Sequence, residues 1–127
     1  MGNTPSTIAT RAPEASAPVA LPLIGPARGA ALHMMSFNIR GDFGWPGPAD
    51  ADYWPRRAPV LTRLLREERP TVLAVQEAMR HQHAAIRMGL PGRYRMLGFG
   101  RDGGRRGEYN ALFVDQRRLR VCDWGQF

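Results

Sequence analysis

Two apolar runs in this chain end on side chains that could do chemistry. Met34-Met35-Ser36-Phe37 runs into Asn38, and Thr71-Val72-Leu73-Ala74-Val75 runs into Gln76-Glu77 with no turn residue between. An amide and a carboxylate are oxygen donors of the kind a hard divalent cation takes. Magnesium keeps most of its water and needs only one or two carboxylates, so this sparse pair is sufficient. The same two side chains could instead cap the segments that follow them through hydrogen bonds, and spacing alone leaves both readings standing.

The elements that must position them can be read from periodicity. His33 to Arg40 reads as a short buried strand. Gly41 to Asp52, with Asp42, Asp50 and Asp52 among glycines and prolines, reads as a surface loop. Trp54-Pro55 opens a helix with proline where its missing amide is harmless. Ala58, Leu61, Leu64 and Leu65 form its apolar stripe, Arg56, Arg57, Arg63, Arg66 and Glu67 its other face, and Pro70 its stop. The strand Thr71 to Val75 follows at once. A second helical pattern covers Arg80 to Met88, a strand Tyr94 to Phe99, and a charged glycine-rich loop Gly100 to Gly107. Tyr109 to Val114 and Leu119 to Cys122 read as a strand pair joined by a turn around Asp115 to Arg118. Strand, helix, strand, helix and then a strand meander is a mixed α/β layout, with the first two strands parallel neighbours across a helical crossover. Sites in such sheets gather at the carboxyl ends of strands, where Asn38 and Glu77 would converge.

Composition bounds the rest. The 127 residues allow one small domain or part of a larger one. Residues 1 to 32 are rich in Ala, Pro, Thr and Ser, lack aromatics, and are expected to be a disordered tail preceding a domain over 33 to 127; Met34 and Met35 stand where structure begins. All 18 basic residues are arginine, and the net charge of +7 is compatible with a polyanionic partner. Arginine forks suit phosphate, but an arginine-for-lysine composition bias weakens the inference to nucleic acid. Cys122 is the one cysteine; it excludes an intrachain disulfide and a cysteine zinc site and reads as a small strand residue. No segment has the length of a membrane span or the layout of a secretory signal, so the expected location is cytoplasmic.

Read in order, Met35-Ser36-Phe37-Asn38-Ile39-Arg40, Val72 to Ala78, Gly98 to Gly104 (GFGRDGG) and Gly107 to Phe113 (GEYNALF) resemble the endonuclease/exonuclease/phosphatase superfamily, the deoxyribonuclease-like fold of metal-dependent phosphoesterases. The resemblance covers residues 34 to 127. It implies the N-terminal half of a four-layer α/β sandwich with flanking helices. Glu77 would be the principal ligand of Mg²⁺ or Mn²⁺, Asn38 at the metal site would help hold metal-bound water or phosphate, and the activity would be hydrolysis of a phosphodiester or phosphomonoester. Arg101 and Arg40 become candidates to meet the phosphate, Glu108 and Asn110 to support the site; each also reads as an ordinary surface or structural residue. His33, His81 and His83 lie outside the family's catalytic-histidine context. The family's later half supplies an Asp-x-Asn pair and a closing Asp-His pair, and neither occurs here. The expectation is therefore a partial domain, inactive alone. The alternative is a non-catalytic basic module that binds nucleic acid or a protein partner.

Overall fold

The computed structural model describes residues 20–127. Strand β1 (Met34–Asn38) leads through helix α1 (Trp54–Glu68) to strand β2 (Val72–Ala78). A 3₁₀ turn (Arg80–Gln82) and helix α2 (His83–Gly89) then lead to strands β3 (Tyr94–Leu97) and β4 (Tyr109–Asp115). The sheet order is β1-β2-β4-β3, with β1 parallel to β2 and the other pairs antiparallel. The parallel pair and its helical crossover match the expectation from sequence.

Alternation along the strands sets two faces. Leu73, Val75, Tyr109, Ala111 and Phe113 face the helices and form one core with Leu61 and Leu65 of α1 and Ile86 of α2. Leu65, Leu73, Ile86 and Phe113 are 0% exposed, and each such burial stabilises by about 1.5–3 kcal/mol relative to exposure. The helices meet at Gly89, where a Cβ would lie 2.7 Å from the Thr62 carbonyl oxygen. Thr62 Oγ1 also donates to the Ala85 carbonyl at 2.9 Å. Helix α1 ends with Arg69 in the left-handed region, its N–H returned to the Leu65 carbonyl, and Pro70 follows. The other sheet face carries a smaller cluster of Val72, Leu97 and Val114 packed by Leu119 and Val121. Met34 and Leu112 on that face remain 63% and 41% exposed.

Three expectations are corrected. Leu119 to Cys122 is not a strand. Beyond the turn at Asp115, where Arg118 N–H donates to the Asp115 carbonyl at 3.0 Å, the chain cannot return along β4 as a hairpin, because β4 is already flanked by β2 and β3. Cys122 is accordingly an exposed residue of an irregular segment. The helical pattern over 80–88 divides into the 3₁₀ turn and α2. Strand β2 also runs three residues past Val75, through Glu77 to Ala78.

The expected tail falls partly outside the described residues. Of its described part, 23–32 makes specific contacts. The Glu68 carboxylate, at the end of α1 and 2% exposed, accepts from the backbone N–H groups of Leu23, Ile24 and Gly25. His33 Nδ1 pairs with the Gly25 carbonyl at 3.0 Å, and Arg118 donates to the carbonyls of Ala27, Gly29 and Ala31. Desolvation pulls the Glu68 carboxyl upward, but the three N–H groups outweigh it and hold the group below its ordinary value of 4.5. A depressed carboxyl contributes stability that is complete above the unfolded value and lost as pH falls through the lower folded value. The protection of the Leu23 to Gly25 amides, relative to their intrinsic exchange rates, is thus expected to fall as pH drops below the ordinary carboxyl value, and Glu68→Gln to lower it already at neutral pH. Equal protection in the variant at pH 7 would show that the carboxylate does not hold this strap.

Candidate functional site

The site is built by a fault in the ladder. Val75 pairs with Ala111 and Ala78 with Tyr109, so Gln76 and Glu77 together oppose the single residue Asn110. This β-bulge breaks the alternation that would send Glu77 into the core after Leu73 and Val75. Ala78, 0% exposed, takes the core position instead. Glu77 itself adopts φ +58°, a left-handed conformation that costs a non-glycine residue about 1–2 kcal/mol. The register of the parallel pair places Asn38 opposite Gln76. The Asn38 Nδ2 group donates to Glu77 Oε1 at 2.7 Å.

The orientation of the Asn38 amide is set from behind. Its Oδ1 accepts from the Arg40 N–H at 2.8 Å, so the Nδ2 end is the one left to face Glu77. Arg40 is also left-handed, at φ +54°. Its carbonyl and that of Ile39 are held by the Arg57 guanidinium, at 3.3 Å and 2.6 Å. Helix α1 thereby grips the end of β1.

Gln82 completes the frame, and the sequence reading passed over it. Its side chain is 0% exposed. Oε1 accepts from Met79 N–H at 2.9 Å and Asp42 N–H at 3.2 Å, and Nε2 donates to the Arg40 carbonyl at 3.1 Å. One amide therefore joins the segment after β1 to the segment after β2, holding Asn38 and Glu77 in register. A signal was present: Gln82 precedes Ala85, Ile86 and Gly89 at helical spacing and so occupies a core position of its helical segment. The same segments meet again where Asp42 pairs with His81 Nε2 at 2.7 Å. Desolvation raises the Asp42 carboxyl, but hydrogen bonds from His81 and the Gly44 N–H dominate and hold it below the usual carboxylate value.

The other candidates are arranged differently. Arg101 and Glu108 pair with each other at 3.2 Å, across a loop whose Arg101 N–H donates to the Glu108 carbonyl at 2.9 Å. The Arg40 guanidinium is engaged by Asp52 at 2.8 Å. Asn110 is exposed and opposes the bulge, so the backbone brings it beside Glu77. His33 is buried near Gly25, and His83 is buried against Tyr109, with ring centroids 4.5 Å apart. Burial first, then Arg87 and Arg80, lowers His83 to about 4, so it is neutral at pH 7.

The donor set at the strand ends fits a hard cation of low protein-ligand demand. In a chain with 18 arginines, Glu77 is in ion contact with none among the described residues. Its carboxylate has one neutral donor and a strained backbone, an arrangement that a bound cation would satisfy. Among the described residues no group of three or more His, Cys, Asp or Glu side chains gathers to hold a metal. A fully protein-coordinated ion is therefore not built here, while a largely hydrated magnesium or manganese ion on Glu77 is compatible. Beside Asn38 a cavity of about 420 Å³ is walled by Phe37, Arg40, Trp54, Arg57 and Leu61.

A four-stranded mixed sheet backed by two helices, with its polar pair at the carboxyl ends of parallel strands, defines the class: a mixed α/β fold. A mannosyl-6-phosphatase of Bacteroides thetaiotaomicron is similar at 30% identity and TM-score 0.64 over 75% of this chain and 35% of that one. An endonuclease/exonuclease/phosphatase from Bacteroides vulgatus matches at 29% and 0.61 over 72% and 34%, and a further such family protein from B. thetaiotaomicron at 30% and 0.63 over 74% and 33%. The chain is thus similar, in fold and in sequence, to proteins of the endonuclease/exonuclease/phosphatase family. It spans about a third of the length of these relatives. No family profile and no curated protein matches the sequence. Among the described residues, no helix is long and apolar enough to cross a membrane.

Proposed function

We propose that this chain carries the metal-binding part of a hydrolase that cleaves a phosphate ester, with Glu77 as the carboxylate ligand of Mg²⁺ or Mn²⁺. The observation that carries this reading is the bulge, which turns Glu77 out of the core at a cost in backbone strain and leaves it against Asn38. Asn38 acts here as the group that orients the carboxylate, through the hydrogen bond that its Nδ2 group donates to Glu77. A bound divalent ion would supply Lewis-acid stabilisation of charge on the phosphoryl oxygens. Gln82 and Arg57 keep the two strand ends from separating, and the exposed rim leaves room for the ester. The family relatives support the reaction class. The phosphatase named for one of them makes a sugar phosphate one candidate substrate, with nucleic acid another.

No described histidine contacts Asn38 or Glu77: His81 is bonded to Asp42, His83 lies buried against Tyr109, and His33 bonds the Gly25 carbonyl before β1. The 127 residues alone are therefore expected to bind metal and ester without appreciable turnover. Titration with Mn²⁺ should broaden the NMR signals of Asn38, Glu77 and Arg40 before any others. Phenyl phosphate should then bind more tightly with Mn²⁺ present than with EDTA. Broadening centred elsewhere, with no metal-dependent gain in ester affinity, would refute the reading. Magnesium-dependent turnover abolished by Glu77→Gln would keep the function and refute the expected inactivity.

A further inference from the structure

Three arginines from three different elements wall one concavity on the helix side of the sheet. Arg80 comes from the 3₁₀ turn, Arg87 from α2 and Arg105 from the loop before β4, and the cavity between them has a volume of about 500 Å³. Tyr109 and His83 complete the wall. Tyr109 is the cross-strand partner of Ala78, the residue after Glu77, so the cavity begins one strand over from the candidate metal ligand.

Three acidic groups are paired with other residues, and the Asp102 carboxylate, in the loop with Arg105, lies against Gly107. Glu108 pairs with Arg101, Asp42 with His81 and Asp115 with Arg93, and no carboxylate lines the cavity. Among the described residues Arg80, Arg87 and Arg105 have no acidic partner. The Arg87 side chain is nevertheless braced: one Nη lies 3.6 Å from Met96 Sδ and the guanidinium carbon 5.9 Å from the Phe113 ring centre. A braced guanidinium loses less freedom when it grips an anion. Burial first, and then the charges of Arg87 and Arg80, lower the His83 ring that lines the same cavity. Like charges that line one cavity repel, and an anion relieves that repulsion while it accepts charge-assisted hydrogen bonds.

We infer that this cavity is an anion subsite for a phosphate group, gripped by Arg80, Arg87 and Arg105, and that it holds a second anionic group of the ester bound at Glu77. The first half stands on the cavity alone. The second rests on the phosphoesterase reading, and points to a substrate with two phosphates or with a phosphate beside another acid. The ring NMR signals of the 3 histidines provide a local readout. Inorganic phosphate added in EDTA at constant ionic strength is expected to shift the His83 signals saturably and to leave His33 unmoved.

The pair Arg87→Gln/Arg105→Gln should weaken that binding at least about tenfold. A control of equal charge, Arg95→Gln/Arg120→Gln, removes one arginine from the opposite sheet face and one from the segment after β4, and should change it less than about twofold. Shifts that do not saturate, or equal weakening by both pairs, would overturn the subsite. With Mn²⁺, a sugar bisphosphate should bind more tightly than the monophosphate, and either Glu77→Gln or the Arg87/Arg105 pair should remove the gain. No gain from the second phosphate would overturn the link to the substrate. Failure of Mn²⁺ to bind at Glu77 would refute the metal reading while the EDTA result still decided the subsite.

Discussion

Glu77→Gly is expected to raise stability relative to Glu77→Gln while both variants lose the metal. Glutamine keeps the side chain, the hydrogen bond from Asn38 and the left-handed backbone, and removes only the charge. Glycine adopts φ +58° without the Cβ clash that makes that conformation costly, so the difference between the variants should be about 1 kcal/mol in favour of glycine. In a domain of this size that corresponds to several degrees in the unfolding midpoint. The Asn38 bond that glycine forfeits is exposed, and water replaces it at little cost. Mn²⁺ affinity should fall about 100-fold or more in both, since Glu77 supplies the carboxylate on which a largely hydrated ion depends. Thermal unfolding and metal titration of the two variants side by side make the test. Glycine less stable than glutamine would show that the bulge is unstrained, and unchanged Mn²⁺ affinity would show that Glu77 is not the ligand.

Gln82→Leu is expected to be the most destabilising single change at the site. It strips the N–H groups of Met79 and Asp42 of their partner and leaves the Arg40 carbonyl only the Arg57 guanidinium, at 3.3 Å. A buried polar group left without a partner costs about 1–3 kcal/mol, and loop relaxation lets water reach some of them, so the expected loss is roughly 3 kcal/mol. The chemical consequence separates this from ordinary core damage. Freed from the tie, the segments after β1 and β2 move independently, Asn38 no longer meets Glu77 at a fixed distance, and Mn²⁺ affinity should fall about 10- to 100-fold. Gln82→Glu keeps the acceptor and loses the donor, so it should restore part of both. The checks are denaturant midpoints and Mn²⁺ titration under conditions where the variants remain folded. Affinity unchanged in a folded Gln82→Leu protein would show that the amide supports the fold but not the site.

The arrangement around Asn38 and Glu77 was legible for a local reason. Both apolar runs are short and end in polar groups, and a helix of the right length lies between them, which leaves parallel neighbours as the economical pairing. Asn38 and Glu77 must then lie at the same end. The bulge was not legible, because strict alternation assigns Glu77 to the core, and only the offset between Val75–Ala111 and Ala78–Tyr109 shows otherwise. The pattern at Leu119 to Cys122 is apolar enough for a strand, and Leu119 and Val121 do pack on the sheet. Whether they pair depends on an open edge, and β3 occupies it.

What the sequence by itself determined is the two helices and strands β1 to β4, the parallel β1–β2 pair and the two residues that meet at its end, because these follow from periodicity, turn residues and the polar ends of apolar runs. The tertiary structure alone decided how those residues are held. The bulge that turns Glu77 outward, the Gln82 amide that joins two loops, the Glu68 clamp on 23–25 and the meeting of Arg80, Arg87 and Arg105 each depend on partners far apart in the chain. Hydrogen bonds and ion pairs over such separations leave no periodic trace, since each needs only one suitable donor and one acceptor that the packed core brings together.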